Sequence, residues 1–130
     1  MRELFGGISR RERISLAREY EWLIRTVTAG ENFTNEIPFT QGAAMAIICP
    51  SGLTATHVAL YGSFESGGVP RPINDKNGTH LVVGLAGDTI VTLPADIFPV
   101  GFIFLGLASA ADGTLTTEGA NCDFVIMIKP

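Results

Sequence analysis

Residues 31–130 consist of short apolar runs separated by turn-forming residues, and this spacing constrains the fold more than any other feature. Runs rich in Val, Ile, Thr and Phe recur between Gly, Pro, Asn and Asp, a composition typical of β-strands bounded by turns. The seven predicted strands are 33–39, 44–49, 57–64, 79–85, 89–93, 102–108 and 123–129. Seven strands without a convincing helix among them predict a mainly β fold, an antiparallel β-sandwich.

The first 30 residues follow a different pattern, which predicts an amphipathic helix. Ser9 and Glu12 have the spacing of a capping box, in which each side chain bonds the other residue's backbone amide. Apolar residues then recur at helical spacing on one face: Leu16, Tyr20, Leu23 and Ile24. The sequence therefore predicts two domains, an N-terminal helical arm at residues 1–30 and a β-sandwich domain at residues 31–130.

The apolar face of this arm must pack on something, because a single helix of about four turns is marginally stable in water. Its partner is either the chain's own β domain or a neighbouring subunit. In the second case the predicted interface residues are Leu16, Arg18, Tyr20, Trp22, Leu23, Ile24 and Arg25. Binding to a membrane surface is disfavoured, since the arginines of the arm stand beside glutamates and form no cationic face.

Charge is distributed unevenly along the chain. The formal net charge is −4, yet residues 1–25 carry a balance of +2 and the remainder a balance of −6. Nucleic-acid binding would require a denser basic patch with aromatic side chains among the basic ones. The pattern therefore predicts no nucleic-acid partner and favours a docking role for the arm.

Apolar residues make up 46% of the chain and charged residues only 17%. The long uncharged run at 37–64 is interrupted by Pro38 and Pro50, well before the ~20 apolar residues that a membrane span requires. Residues 1–7 lack the apolar core of a secretory leader. We therefore expect no membrane partner, and a protein that hides some of its surface against other subunits.

Residues with reactive side chains are few and form no recognisable site. His57 and His80 fall on predicted strands without a predictable acid partner, so a structural or exposed histidine is expected at both positions. Asp75, Asn77 and Gly78 resemble the start of a calcium loop, but calcium needs six to eight oxygen ligands. Asn-Gly is the favoured pair of a two-residue hairpin turn. We therefore expect a hairpin here, with no metal, cofactor or catalytic residue in the chain.

The remaining carboxylates and the two cysteines also have structural interpretations. The carboxylates at turns or strand edges are expected to serve as turn residues or solubilising groups: Asp88, Asp96, Asp112 and Glu118. Cys49 and Cys122 lie at or beside apolar strands, where a free cysteine usually behaves as a small buried hydrophobe. Two cysteines without a histidine cluster do not make a zinc site.

Several short motifs follow one another in a defined order between residues 42 and 130. They are THVALYGS at 56–63, ESGG at 65–68, INDKNGT at 73–79, IVTLPADIF at 90–98, FIFL at 102–105, AS at 108–109 and FVIMIKP at 124–130. Their order and spacing resemble those of small virion proteins encoded among the structural genes of tailed bacteriophages. The resemblance leaves the helical arm out. It implies a jelly-roll-like or galactose-binding-like sandwich, and it brings no catalytic residues.

The resemblance implies a virion structural protein made in the bacterial host cytoplasm and built into the phage particle. A capsid decoration, cement or minor head protein is the favoured role, because low charge and an apolar β body suit permanent interfaces. Its partners would be the major capsid protein or head and neck components, and a homo-oligomer, with a trimer as one option. The alternative is a receptor- or carbohydrate-binding module of a fibre or tail. A reducing cytoplasm argues against a disulfide between the two cysteines.

Overall fold

The computed structural model describes residues 21–130, which form two antiparallel β-sheets around one hydrophobic core. The strands are β1 (Glu21–Val27), β2 (Ile37–Pro38), β3 (Ala44–Ile48), β4 (His57–Ser63), β5 (Arg71–Pro72), β6 (Val82–Gly84), β7 (Ile90–Thr92), β8 (Phe102–Ala108) and β9 (Cys122–Lys129). A short 3₁₀ helix at Ala95–Ile97 precedes β8. The prediction of a mainly β fold is confirmed.

Sheet A has four strands in the order β1-β9-β3-β7, and sheet B has five, with β2, β8 and β4 in sequence. Strands β5 and β6 both pair with the same edge of β4, β5 with the end of β4 and β6 with its beginning. The longest pairings join β1 to β9 and β4 to β8, each over seven residue pairs. Both pairings connect segments far apart in sequence, so the fold is held together by long-range contacts.

The core lies between the inner faces of the two sheets. The inward residues of sheet A alternate along its strands, as the period-two geometry of a strand requires: Val27, Met45, Ile47, Phe124, Ile126 and Ile128. Sheet B contributes the other half of the core: Ile37, Val58, Leu60, Ile103, Leu105 and Leu107. Full burial of one such side chain stabilises the fold by about 1.5–3 kcal/mol.

Each of the seven predicted strands corresponds to a strand of the structure, and some are shorter than predicted. The prediction for 33–39 reduces to β2, with an isolated bridge from Phe33 to Gly106. The prediction for 79–85 reduces to β6, with a bridge from Asn74 to His80 before it. The two-residue strand β5 was not predicted, because Arg71 and Pro72 carry no strand signal of their own.

The helix prediction is wrong for residues 21–25, because residues 21–27 form strand β1. Every residue of β1 pairs with β9, from Glu21 opposite Ile128 to Val27 opposite Cys122. The segment is rich in β-branched and aromatic residues, which fit a pleated surface, and pairing with β9 overrides its helical spacing. The β body thus already includes residue 21, ten positions before the boundary that the sequence pattern suggested. The rest of the predicted arm lies outside the described residues.

The motif around Asn77-Gly78 is a hairpin turn, as predicted, but its loop is one residue longer. The amide of Gly78 donates to the carbonyl of Asp75 at 3.0 Å, and the amide of Asp75 donates to the carbonyl of Thr79 at 2.8 Å. Gly78 has a φ of 82°, whereas the φ of Asn77 is not positive. A two-residue type I′ turn needs positive φ at both central residues, so this is the three-residue loop that ends in a left-handed glycine.

The same turn explains the resemblance to a calcium loop. One carboxylate oxygen of Asp75 accepts hydrogen bonds from the amides of Asn77 at 2.8 Å and Thr79 at 3.0 Å. An aspartate that bonds the backbone two residues further on is a common turn device. Asp75 therefore serves the bend between the two halves of the hairpin.

Candidate interaction surface

The middle of the outward side of sheet A is apolar from β1 to β7, apart from Thr92. The backbone register aligns its outward residues in two rows that cross the sheet. The first row, from β1 to β7, is Trp22, Met127, Ala46 and Thr92, and the second is Ile24, Val125, Ile48 and Ile90. We refer to these eight residues as the outer face of sheet A.

This outer face is open to solvent in the single chain. Trp22 is 63% exposed, Ile24 51% and Ile90 64%, and the side chains between them are partly exposed. Monomeric soluble proteins rarely expose contiguous apolar patches larger than a few hundred Å². The outer face is therefore a candidate interaction surface.

The sequences of strands β3 and β9 are also apolar on both faces of the sheet. Strands β3 and β9 contain uninterrupted apolar runs at 44–48 and 124–128. An antiparallel strand with one face in water normally alternates apolar and polar residues, while a continuous apolar run is typical of a strand buried on both faces. The outward residues of β3 and β9 thus have the apolar character that is typical of a covered sheet face.

Sheet B shows what a covered outer face looks like in this protein. The ring of Phe33 contacts that of Tyr61 edge to face, with 4.8 Å between their centroids, and Tyr61 contacts His80 in the same way at 5.1 Å. Phe33 and Leu115 also close over Gly106, where a Cβ atom would approach both side chains within 3.1 Å. Among residues 21–130, no loop covers the outer face of sheet A in this way.

Polar groups border the apolar rows of sheet A. At one end the Thr26 hydroxyl donates a hydrogen bond of 2.6 Å to the Asp123 carboxylate. At the other end Lys129 lies opposite Ala44 in the register of β9 and β3. An apolar centre with a polar rim is the usual anatomy of a protein–protein interface.

The predicted interface residues divide into three groups. Trp22 and Ile24 lie on the outer face of sheet A and are exposed. Leu23 faces the other way and packs against the core. Arg25 also lies on the inward side of β1, where its Nε donates to the carbonyl oxygen of Glu36 at 2.9 Å. The other three residues, Leu16, Arg18 and Tyr20, lie outside the described residues.

Glu36 joins this margin of the sandwich to the loop after β4. Its carboxylate accepts hydrogen bonds from the Gly67 amide at 2.9 Å and the Ser66 hydroxyl at 2.6 Å. The hydrogen bond from Gly67 lowers the pKa of Glu36 most, followed by the bond from Ser66, and the nearby Arg25 charge lowers it further. Burial raises the pKa by less than either hydrogen bond lowers it. Gly67 has a φ of 76°, a left-handed conformation that glycine adopts without a steric penalty.

Glu118 is a buried carboxylate, not the solubilising group that the sequence suggested. Its oxygens accept hydrogen bonds from the Thr54 hydroxyl at 2.8 Å, the Ala55 amide at 2.7 Å and the Thr54 amide at 3.2 Å. Burial alone would raise the pKa of Glu118, but these hydrogen bonds outweigh it and hold the pKa below its ordinary value. Glu118 therefore ties two loops together as an anion.

The two histidines have structural contacts. His57 Nδ1 lies 2.8 Å from the Thr56 hydroxyl, and His80 Nε2 lies 3.0 Å from the carbonyl oxygen of Leu60.

Asp112 accepts hydrogen bonds from the hydroxyl and amide of Thr114, which lower the pKa of Asp112. Across residues 21–130, no group of three or more His, Cys, Asp or Glu side chains could hold a metal ion.

Both cysteines are buried and free, in agreement with the expectation of small buried hydrophobes. Burial raises the pKa of the Cys49 thiol, against weaker hydrogen bonds from the Thr89 side chain and the Ala86 backbone. Burial also raises the pKa of Cys122, and the nearby charges of Glu118 and Asp123 raise it further. A thiol held in its neutral form is a poor nucleophile.

A concave surface also lies at the end of β4. It is an open depression of about 440 Å³ between the loop at residues 64–70 and residues 99–101. Phe64 and Val69 stand on its border and are 88% and 73% exposed. The Ser63 hydroxyl at its base donates to the Glu65 carbonyl at 2.7 Å and so fixes the loop.

Comparisons with known proteins bear on the fold. No protein-family model matches the chain, and no curated protein sequence matches it significantly. Among solved structures, the SPBc2 prophage-derived protein YomS is similar, with a TM-score of 0.50 and 9% sequence identity. The match covers 85% of this chain and 95% of YomS. At this identity the likeness concerns the fold alone. Within residues 21–130, no helix has the length and apolar character needed to cross a membrane.

Proposed function

We propose that this chain is a non-enzymatic structural protein of a bacteriophage particle, most specifically a capsid decoration, cement or minor head protein. The observation that carries the proposal is the outer face of sheet A, a surface of seven apolar residues and one threonine on a sheet whose other side is already a packed core. A sheet that is apolar on both sides needs a partner, and a subunit of an assembly has one.

The phage context has two supports. The fold is similar to that of YomS, whose name describes it as prophage-derived. The motifs between residues 42 and 130 also follow the order found in small virion proteins of tailed phages. Neither support depends on the other, since the first compares backbones and the second compares short sequence motifs.

The low charge of the chain supports a role in permanent contacts. Only 17% of its residues are charged, and the centre of the outer face of sheet A carries no charged side chain. Interfaces are depleted of charged residues at their centres and enriched in aromatic residues and methionine. Trp22 and Met127, at adjacent positions in one row, fit this composition. The partners would be other virion proteins and further copies of the chain.

Quantitative mass spectrometry of purified phage particles tests the proposal. A decoration or cement protein should be present in tens to hundreds of copies relative to the major capsid protein. A few copies per particle, together with glycan binding by the purified protein, would instead support a receptor- or carbohydrate-binding module. Complete absence from purified particles would overturn the proposal.

A variant in the outer face of sheet A tests whether this face contacts the particle. Ile24→Lys places a charge at the β1 end of an apolar row, and we expect it to reduce incorporation into particles at least about tenfold. Val69→Lys is the matched control, because Val69 is 73% exposed on another surface. Equal incorporation of the two variants would show that sheet A does not contact the particle.

A further inference from the structure

We infer that the occupant of the outer face of sheet A is a second copy of the same chain, in a pair related by a two-fold axis that runs between β9 and β3. The inference rests on one part of the proposed function, namely that this face is an interface. It does not depend on the phage assignment.

The first row of the outer face has two large side chains in one half and two small ones in the other. Trp22 and Met127 are large and occupy β1 and β9, whereas Ala46 and Thr92 are small and occupy β3 and β7. The small half forms an apolar hollow of about 370 Å³, lined by Ala44, Ala46, Thr92 and Met127 among others. One half of the row is thus raised and the other is recessed.

A two-fold rotation about an axis parallel to the strands, at the middle of the sheet, brings the raised half of each copy onto the recessed half of the other. The rotation exchanges β1 with β7 and β9 with β3. Trp22 then faces Thr92 of the partner subunit, and Met127 faces Ala46 of the partner subunit. Both contacts occur twice, as in any isologous interface.

The second row fits the same arrangement. It contains Ile24, Val125, Ile48 and Ile90, which are similar in size and so pack evenly after the rotation. The strands of the two facing sheets remain roughly aligned, as in the packing of sandwich sheets about 10 Å apart. At the rim, Asp123 and Lys129 of β9 face the β3 side of the other copy, so neither is placed on its own counterpart.

The size of the outer face of sheet A limits the affinity expected for the pair. Four strands about 4.8 Å apart, with rows about 7 Å apart, give a plan area of roughly 300 Å². Pairing two such corrugated surfaces buries on the order of 800–1,000 Å² in total, which is less than the roughly 1,200 Å² of a stable interface and is typical of weak, transient ones. We therefore expect a dissociation constant in the micromolar range for the pair in solution. The high local concentration of subunits in an assembly would favour the pair.

Sedimentation equilibrium of the full chain between about 1 µM and 1 mM, with the fluorescence of its one tryptophan, tests the pairing. We expect a monomer–dimer equilibrium, with Trp22 emission shifting to shorter wavelength in step with dimer formation. A monomer at every concentration overturns the inference. This holds whether Trp22 remains exposed or is already buried, since the second result would mean that residues 1–20 cover the face. A trimer overturns it as well.

A size swap tests the geometry. Trp22→Thr and Thr92→Trp should each weaken dimerisation about tenfold or more, the first by removing a contact and the second by opposing two large rings. The double variant restores one large residue opposite one small residue and should recover most of the affinity. Thr117→Trp, on an exposed loop, is the matched control. A double variant no stronger than the weaker single variant would contradict the arrangement.

This experiment and the particle analysis can fail separately. A dimer of the purified chain that is missing from phage particles would remove the phage assignment and leave the pairing intact. A chain that is abundant in particles but monomeric in solution, with no recovery in the double variant, would leave the structural role intact and exclude the second copy.

Discussion

The carboxylate of Glu118 accepts a hydrogen bond of 2.7 Å from the backbone amide of Ala55, 63 positions earlier in the chain. This contact joins the loop between β8 and β9 to the segment that leads into β4. Glu118 is only 8% exposed, so its hydrogen bonds with Thr54 and Ala55 replace most of its hydration. A buried charge that is fully hydrogen-bonded is costly to alter.

Glu118→Gln should lower the free energy of unfolding by about 1–3 kcal/mol, because a neutral amide is a weaker acceptor than a carboxylate and places a donor where amides already point. Urea denaturation at pH 7 measures the change. Glu31→Gln is the control, since Glu31 is exposed. Equal stability of the two variants would show that the charge of Glu118 does not stabilise the fold.

The same carboxylate makes stability depend on pH in a defined direction. Because the folded-state pKa of Glu118 lies below the ordinary value of 4.5, its stabilising effect is complete above that value and is lost as the pH falls through the folded pKa. The stability difference between the wild type and Glu118→Gln should therefore be largest near neutral pH and shrink below pH 4.5. A difference that grows in acid would mean that the pKa is raised instead.

Gly106→Ala should destabilise the protein by about 1–3 kcal/mol, because the new methyl group has no room. A Cβ at this position would lie 3.0 Å from Leu115 Cδ2 and 3.1 Å from Phe33 Cε1. Gly119→Ala is the matched control, since a Cβ there meets no atom within 4 Å. Thermal unfolding of both variants checks the prediction. Equal midpoints would show that the side chains of Phe33 and Leu115 move aside at little energetic cost.

Two truncations separate the predicted arm from strand β1. Removal of residues 1–20 leaves all seven residues of β1, whereas removal of residues 1–25 takes five of them and exposes the edge of β9. We expect the longer deletion to cost about 3 kcal/mol or more through lost burial and pairing, and the shorter one much less. Circular dichroism with urea titration measures both. Similar stability of the two truncated chains would argue that β1 contributes little.

Cys49 and Cys122 should react slowly with thiol reagents in the native protein. Both are buried, and burial raises the pKa of each thiol, so the reactive thiolate is scarce and shielded. We expect modification with Ellman's reagent at pH 8 to be at least about 100-fold slower than in concentrated guanidinium chloride, where both thiols should titrate. Rapid modification of one thiol in the native state would show that its strand opens readily.

The sequence predicted the strands of the sandwich well because their signals are local. Strand β8 was predicted with its observed bounds, since an apolar run with turn residues on both sides suffices. Strand β1 was misread as helix because Leu23 and Ile24 continue the helical spacing of Leu16 and Tyr20. Its pairing partner, β9, lies about 100 positions later, and no local pattern shows such a register.

The surface features were harder to predict. The apolar runs in β3 and β9 are the local signal of the apolar outer face of sheet A, but the sequence does not show which strands are neighbours in the sheet. Glu118 stands among Thr and Gly, which is the usual setting of an exposed loop. Its burial depends on Thr54 and Ala55, so tertiary contacts alone determine its role.

The position of β9 in sheet A also governs the order in which the molecule can form. Strand β9 is central, between β1 and β3, yet it is the last strand of the sequence. During synthesis the ribosome therefore releases β1 and β3 long before the strand that joins them, while β4 and β8 can already associate. Sheet A, with Trp22 and Ile24 at its edge, therefore forms only after β9 has emerged, and β1 has no partner strand within residues 21–130 of the nascent chain until then.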